Sequence, residues 1–201
     1  MRLIRGLAWL CAICAGSAPC AMAQPEASGW GLRPLMRELA QVHSASATFT
    51  ERETLQMLNA PLVTSGTLTY LAPAYVRKRT LAPIPEDFVL DHGQVTLTGG
   101  PQNQTHVFSL ADDPRIGGLV EGIRATLAGD LPALGRFYTM RLTGNAANWQ
   151  LLLQPKDAGL AHFIKWILIL GSQNRIHAID TASSNGDHSE MGIAEDVSDA
   201  K

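Results

Sequence analysis

The chain has 201 residues, 46% of them hydrophobic, and a formal net charge of −2. That is enough chain to bury a substantial core, with no internal repeat and no low-complexity segment. The slightly acidic balance argues against nucleic acid as a partner.

Residues 1–23 read as an exported leader. Met1-Arg-Leu-Ile-Arg5 is a short cationic start, Leu7–Ile13 is apolar, and Ala21-Met-Ala23 gives the small-x-small pattern before the polar Gln24. This is the pattern of a secretory signal peptide cleaved after Ala23. A retained anchor needs about 20 uninterrupted apolar residues, and this run is broken by Gly16, Ser17 and Pro19. Cys20 follows Ser-Ala-Pro, a poor lipobox. Cys11, Cys14 and Cys20 all depart with the leader, so residues 24–201 carry no disulfide, thiolate zinc site or cysteine nucleophile. Loss of Arg2 and Arg5 leaves 14 basic against 18 acidic residues, a formal charge of −4. Residues 24–201 are expected to form a single domain, with Ala194–Lys201 polar and frayed.

Trp30–Val42 reads as a helix, because Leu32, Leu35, Met36 and Leu39 fall on one stripe and Pro34 lies in the first turn. Three strand-like pieces follow: Thr48–Leu58, Leu62–Leu71 and Tyr75–Leu81. In the first, Phe49, Leu55 and Met57 alternate with Thr48, Thr50, Arg52, Thr54 and Gln56, the period of a half-buried antiparallel strand. Pro61 and Pro73 mark strand ends. Glu86–Leu90 and Gln94–Thr98 flank a hairpin turn at Asp91-His-Gly93, Gly99–Asn103 is a turn, and Thr105–Leu110 is a further strand.

The pattern then becomes helical. Asp113-Pro114 supplies a cap and a first-turn proline. Ile116, Leu119, Val120, Ile123 and Leu127 form one apolar stripe opposite Arg115, Glu121 and Arg124, and Gly129 ends the helix. Asp130 caps a second short helix, Leu131–Phe137. Strands resume at Thr139–Gly144, Asn148–Gln154, His162–Leu170, Arg175–Thr181 and His188–Ile193. A helical insertion between two sets of strands excludes a doubly wound fold. The fold class is mainly β (α+β), a curved antiparallel sheet whose inner face needs an apolar cover.

Chemistry-bearing patterns are sparse. His43, His92, His106, His162, His177 and His188 include no pair at helical spacing with a carboxylate, so no zinc motif is present. Asp187-His188-Ser189 are neighbours along one strand and cannot face one another as a triad, and there is no nucleophile elbow. Glu51 and Glu53 share a strand face, as paired acid and base carboxylates would. Cross-strand pairing with the Arg77-Lys78-Arg79 run is the simpler account. Gly117-Gly118 lacks the lysine of a phosphate-binding loop.

The order of Ala47-Thr-Phe-Thr-Glu-Arg52, Gly66-Thr-Leu-Thr-Tyr-Leu-Ala-Pro73, Leu90-Asp-His-Gly93, a helical insertion and a final strand set resembles the periplasmic outer-membrane lipoprotein carriers, the LolA family, in a divergent LolA-like form. The resemblance covers roughly residues 30–193 and rests on order and spacing. It implies an incomplete β-barrel with helices over its mouth, a periplasmic location, and a non-enzymatic carrier that shields acyl chains between inner and outer membrane. It implies no cofactor, and as partners a lipoprotein or other acylated cargo with membrane-bound donor and acceptor proteins; a monomer is expected. Phe49, Leu55, Leu68 and Tyr70 from the sheet, with Ile116, Leu119, Val120, Ile123 and Leu127 from the lid, are the candidate lining of the acyl cavity. The carriers hold an arginine before the proline of the second strand; Ala72 stands there in this chain, and Arg77, Lys78 and Arg79 are out of register with it. The alternative is an envelope sensor that binds a protein partner with the same half-barrel.

Overall fold

The structure, a computed structural model, describes residues 29–100, 103–112 and 114–195. The expected leader, the Asp113 cap and the tail beyond Glu195 lie outside the described residues. Helix α1 (Leu32–Leu39) leads into β1 (Ser44–Thr54), β2 (Leu62–Leu71), β3 (Tyr75–Ala82), β4 (Glu86–Asp91), β5 (Gln94–Gly99) and β6 (Gln104–Ser109). Helices α2 (Pro114–Leu127) and α3 (Leu131–Phe137) follow, then β7 (Tyr138–Asn145), β8 (Asn148–Pro155), α4 (Ala158–Ala161), β9 (Ile164–Ser172), β10 (Arg175–Ser183) and β11 (His188–Glu195).

All the strands belong to one 11-stranded antiparallel sheet in the order β6-β5-β4-β3-β2-β1-β11-β10-β9-β8-β7. The chain meanders outward from β1 to β6, crosses by α2 and α3 to the far edge, and meanders back until β11 pairs with β1. Edges β6 and β7 do not meet, so the sheet is a curved half-barrel, as the sequence predicts. Register shifts between Ser65 and Gly66 on β2 and at two points of the β9–β10 pair are the irregularities that bend such a sheet.

Local rules account for most elements. The β4–β5 hairpin closes through His92 (φ 47°) and Gly93 (φ 85°), the two positive dihedrals of a tight hairpin turn. Helix α2 ends in a Schellman motif: Gly129 (φ 62°) donates to the Thr126 carbonyl at 3.0 Å and Asp130 to that of Ala125 at 2.8 Å. Asp130 Oδ1 then accepts from Ala133 N at 2.9 Å, capping α3.

Three expectations need correction. Strand β1 begins at Ser44 and stops at Thr54, so Leu55 and Met57 lie beyond it, Met57 being 86% exposed. The chain leaves the sheet there because Leu58 N turns back onto the Leu55 carbonyl at 2.9 Å. The strand expected from His162 begins at Ile164, because His162 ends the short helix α4, which Asp157 Oδ1 caps by accepting from Leu160 N at 2.9 Å. Ala194 and Glu195 are paired with Thr48 and Ala47 rather than frayed.

The core is lopsided. Leu35 and Leu39 of α1, Ala125 of α2 and Leu134 of α3 pack with Tyr138, Trp149, Leu151, Ile167 and Ile169 of β7–β9. Tyr138 donates its hydroxyl to the Gly118 carbonyl at 2.8 Å, fixing α2 to the sheet. The helices thus lie over the β7–β10 half. The concave face of β1–β3 and β11 is left to define a space beneath them.

Candidate functional site

That space is a cavity of about 580 Å³ between α1, α2 and the concave wall of β1–β3, β10 and β11. The volume lies within the roughly 300–1,000 Å³ of small-ligand sites. Six of the nine residues named from the sequence line it: Leu68 and Tyr70 on β2, with Leu119, Val120, Ile123 and Leu127 on α2. Leu119, Ile123 and Leu127 also pack against the main core, so α2 serves two layers at once.

The other three are placed elsewhere. Leu55 lies past the end of β1, and Ile116 is not part of the lining. Phe49 is 3% exposed and forms the layer beneath the wall. Its partner across the β1–β2 pair is Gly66, where a Cβ would lie 2.9 Å from Phe49 Cε1 and 1.9 Å from the Arg79 carbonyl oxygen. The missing side chain lets the ring lie against β2. Lys78 Nζ then sits over that ring, 5.1 Å from its centroid.

Lys78 does not stop at the ring. Its register partner is Leu68, yet its ammonium reaches over β2 to donate to Glu51 Oε2 on β1. Ser189 Oγ on β11 donates to Glu51 Oε1 at 2.5 Å. Glu51, Lys78 and Ser189 all line the cavity and form a hydrogen-bonded polar cluster in its wall. The Glu51 side chain is 9% exposed and that of Lys78 29%, and a charge so deeply placed needs its partner. Cross-strand pairing with the basic run therefore occurs between Glu51 and Lys78, but across an intervening strand. Glu53 is half-buried on the same face; burial, and then the Glu51 charge, raise its pKa.

Arg124 secures the roof. From α2 it grips Glu121 through Nε at 2.8 Å and Nη2 at 2.6 Å, and its Nη1 donates to the Pro73 carbonyl in the β2–β3 turn at 2.9 Å. The Glu121 hydrogen bond raises the Arg124 pKa further, so the guanidinium stays charged. The tie between helix and sheet thus runs from α2 to Pro73, the residue that follows Ala72.

Asp187, His188 and Ser189 diverge, as strand neighbours must. Asp187 accepts from Gln56 N at 2.8 Å, His188 meets the Trp166 ring edge at 5.6 Å, and Ser189 turns to Glu51. Among the described residues no group of three His, Cys, Asp or Glu side chains is placed to hold a metal ion. No helix of the described residues is long and apolar enough to cross a membrane.

Leu39, Val42, Ile176, Ile179, Met191 and Ile193 are among the further lining residues that the sequence pattern does not single out. Alternation in 188–193 marks Met191 and Ile193 as sharing a face. Nothing local says that this face adjoins β1, from the other end of the chain.

No curated protein matches the chain. Among solved structures it is similar to a LolA superfamily protein from Nitrosomonas europaea, at 9% identity over 82% of this chain and 92% of that one, TM-score 0.41. A DUF1329 family protein from Desulfovibrio piger matches at 10% identity over 83% and 91%, TM-score 0.45. The Pseudomonas aeruginosa MucA/MucB complex matches at 13% identity and TM-score 0.42; 81% of this chain spans 55% of the matched one. The family model described as outer membrane lipoprotein carrier protein LolA-like matches residues 23–201, and the chain belongs to that family.

Proposed function

We propose that this protein is a periplasmic carrier that shields the acyl chains of a lipoprotein or other lipid cargo between the inner and outer membranes. The observation that carries the reading is the apolar cavity roofed by α2. Burying an acyl chain gains about 0.8 kcal/mol per CH₂, so twelve methylenes offer about 10 kcal/mol before the several kcal/mol that association costs. A dry concave wall suffices for that task. It needs no reactive group, and in this reading the protein is not an enzyme. The leader would deliver residues 24–201 to the periplasm, and membrane-bound donor and acceptor proteins would load and unload them.

The test has two arms. Native mass spectrometry of the protein purified from periplasm, followed by lipid extraction, should find a near-stoichiometric acylated molecule. In vitro, the purified protein should bind the neutral dye N-phenylnaphthylamine and release it to methyl laurate. Val120 lines the cavity without belonging to the main core, so Val120→Asp should abolish dye binding with less than about 1 kcal/mol lost in stability. Stability falling while dye binding persists would mean that α2 is ordinary core cover.

A further inference from the structure

Polar residues of the cavity wall fall into a band. Glu51 on β1, Lys78 on β3, Thr181 on β10 and Ser189 on β11 are each the lining residue of their strand nearest the end that carries the β1–β2 and β10–β11 loops. The next lining residue inward on each of those strands is apolar: Ala47, Val76, Ile179 and Met191. An amphiphile in the cavity therefore meets a polar row at one limit of the wall and an apolar row directly below it.

The band is held together. Thr181 and Ser189 are register partners, which sets their Cβ atoms about 4.5–5.5 Å apart. Ser189 and Lys78 donate to the two oxygens of the one Glu51 carboxylate. Thr181, Ser189 and the ammonium thus gather above β10, β11 and β1, a width of about 10 Å at the usual strand spacing. Glu51 takes one of the three N–H groups of Lys78, and the lysine side chain stays 29% exposed. Ser189 has given its proton to Glu51 and keeps its oxygen as an acceptor. The Thr181 hydroxyl takes part in neither bond. The band therefore offers donors and acceptors side by side.

Charge narrows the ligand. Glu53 feels Glu51 and Glu86 as like charges and Lys78 as the opposing one, so three carboxyl groups share the neighbourhood of one ammonium, itself already paired. Arg124 is bound to Glu121 and to the Pro73 carbonyl, in the β2–β3 turn at the opposite end of the strands. Arg175 is six residues along β10 from Thr181, about 20 Å at 3.3 Å per residue. A carboxylate or phosphate at the band would lose hydration in an acidic surrounding. A lone carbonyl only accepts, whereas hydroxyl groups both donate and accept, and several on one head group can reach across the band.

Resting on the carrier reading, we propose that Lys78, Thr181 and Ser189 form a head-group subsite for a lipid whose polar end is uncharged and carries more than one hydroxyl group. One hydroxyl accepts from Lys78, another exchanges hydrogen bonds with Thr181 and Ser189, and the acyl chain runs past Ile179 and Met191 beneath the Leu119–Leu127 segment of α2.

The experiment is displacement of N-phenylnaphthylamine from the purified protein at pH 7.5 by 1-monolauroylglycerol, methyl laurate and laurate, which share one acyl chain. The wild type should release the dye to monolauroylglycerol at a concentration about tenfold lower than to either of the others. Thr181→Val should raise the monolauroylglycerol requirement about threefold to tenfold and leave that for methyl laurate and the thermal midpoint unchanged. Thr181→Ser, which keeps the hydroxyl, should retain the preference. Laurate or methyl laurate competing as well as monolauroylglycerol, or Thr181→Val keeping the full preference, overturns the subsite while leaving the carrier standing. If none of the three releases the dye, the carrier reading falls with it.

Discussion

Gly66 shows how much of this site depends on an atom that is not there. The glycine sits at a register shift in β2, against the Arg79 carbonyl on one side and the Phe49 ring on the other. A methyl group would meet backbone as well as a ring, and backbone cannot swing away. Gly66→Ala should therefore cost about 1–3 kcal/mol by urea denaturation. It should also weaken dye binding, because a displaced Phe49 no longer supports Lys78. An unchanged urea midpoint would mean that the β2–β3 pair yields at this point. The same device recurs at Gly171, where a Cβ would lie 2.2 Å from Trp149 Cζ2. Neither pairing of glycine with aromatic is legible from local sequence, since each joins different strands.

At the scale of elements, α2 is the part that both folds the protein and roofs the cavity. Its stripe, its glycine stop and the Asp130 cap of the next helix are all written locally, in spacing and capping chemistry. What it covers is not. Helical spacing puts Arg124 on a polar face, whereas its side chain is 13% exposed and bonded to Glu121 and to Pro73. Removing it leaves the Glu121 carboxylate half-buried and unpaired. Arg124→Gln should lower stability by about 1–3 kcal/mol and speed amide exchange along α2. Pairing it with Glu121→Gln should recover part of the stability but not the slow exchange, because the tie to Pro73 remains cut. Unaltered exchange in the single variant would show that packing alone holds the roof. The opposite elements, β6 and β7, end the sheet; β6 is a six-residue strand, and a short edge offers little for a second chain to extend.

For the whole molecule, the balance of carboxylates sets an acid-shifted stability profile. Burial raises the pKa of Glu53 and Asp180, with Glu51 and Glu190 respectively adding to it. These groups bind protons more tightly when folded, so their contribution is present at low pH and is lost as pH rises through their folded values. Asp87 and Asp187 run the other way: a hydrogen bond from Arg77 and one from the Gln56 backbone lower them. Their contribution is present above the ordinary carboxylate range and is lost as pH falls below about 4. The urea midpoint should thus rise from pH 7.5 to about pH 5 and drop below about pH 4. Glu53→Gln should flatten the upper limb, and a profile that peaks above neutrality would refute this account.

Local sequence carries the strand succession, helices α1 to α3, the hairpin at His92-Gly93, the inward parity of Phe49, Leu68 and Tyr70, and the apolar stripe of α2. Those follow from period, turn residues and caps, which act over a few neighbours. That β11 closes on β1, that Lys78 crosses β2 to Glu51, that Phe49 is buried beneath the Lys78 ammonium, and that Leu55 lies outside follow from the packed fold alone. Each depends on which distant strand sits alongside and how side chains share one concave surface. Alternation tells a residue which face it is on, and only the packing of the whole sheet against its helices decides whether that face is filled or hollow.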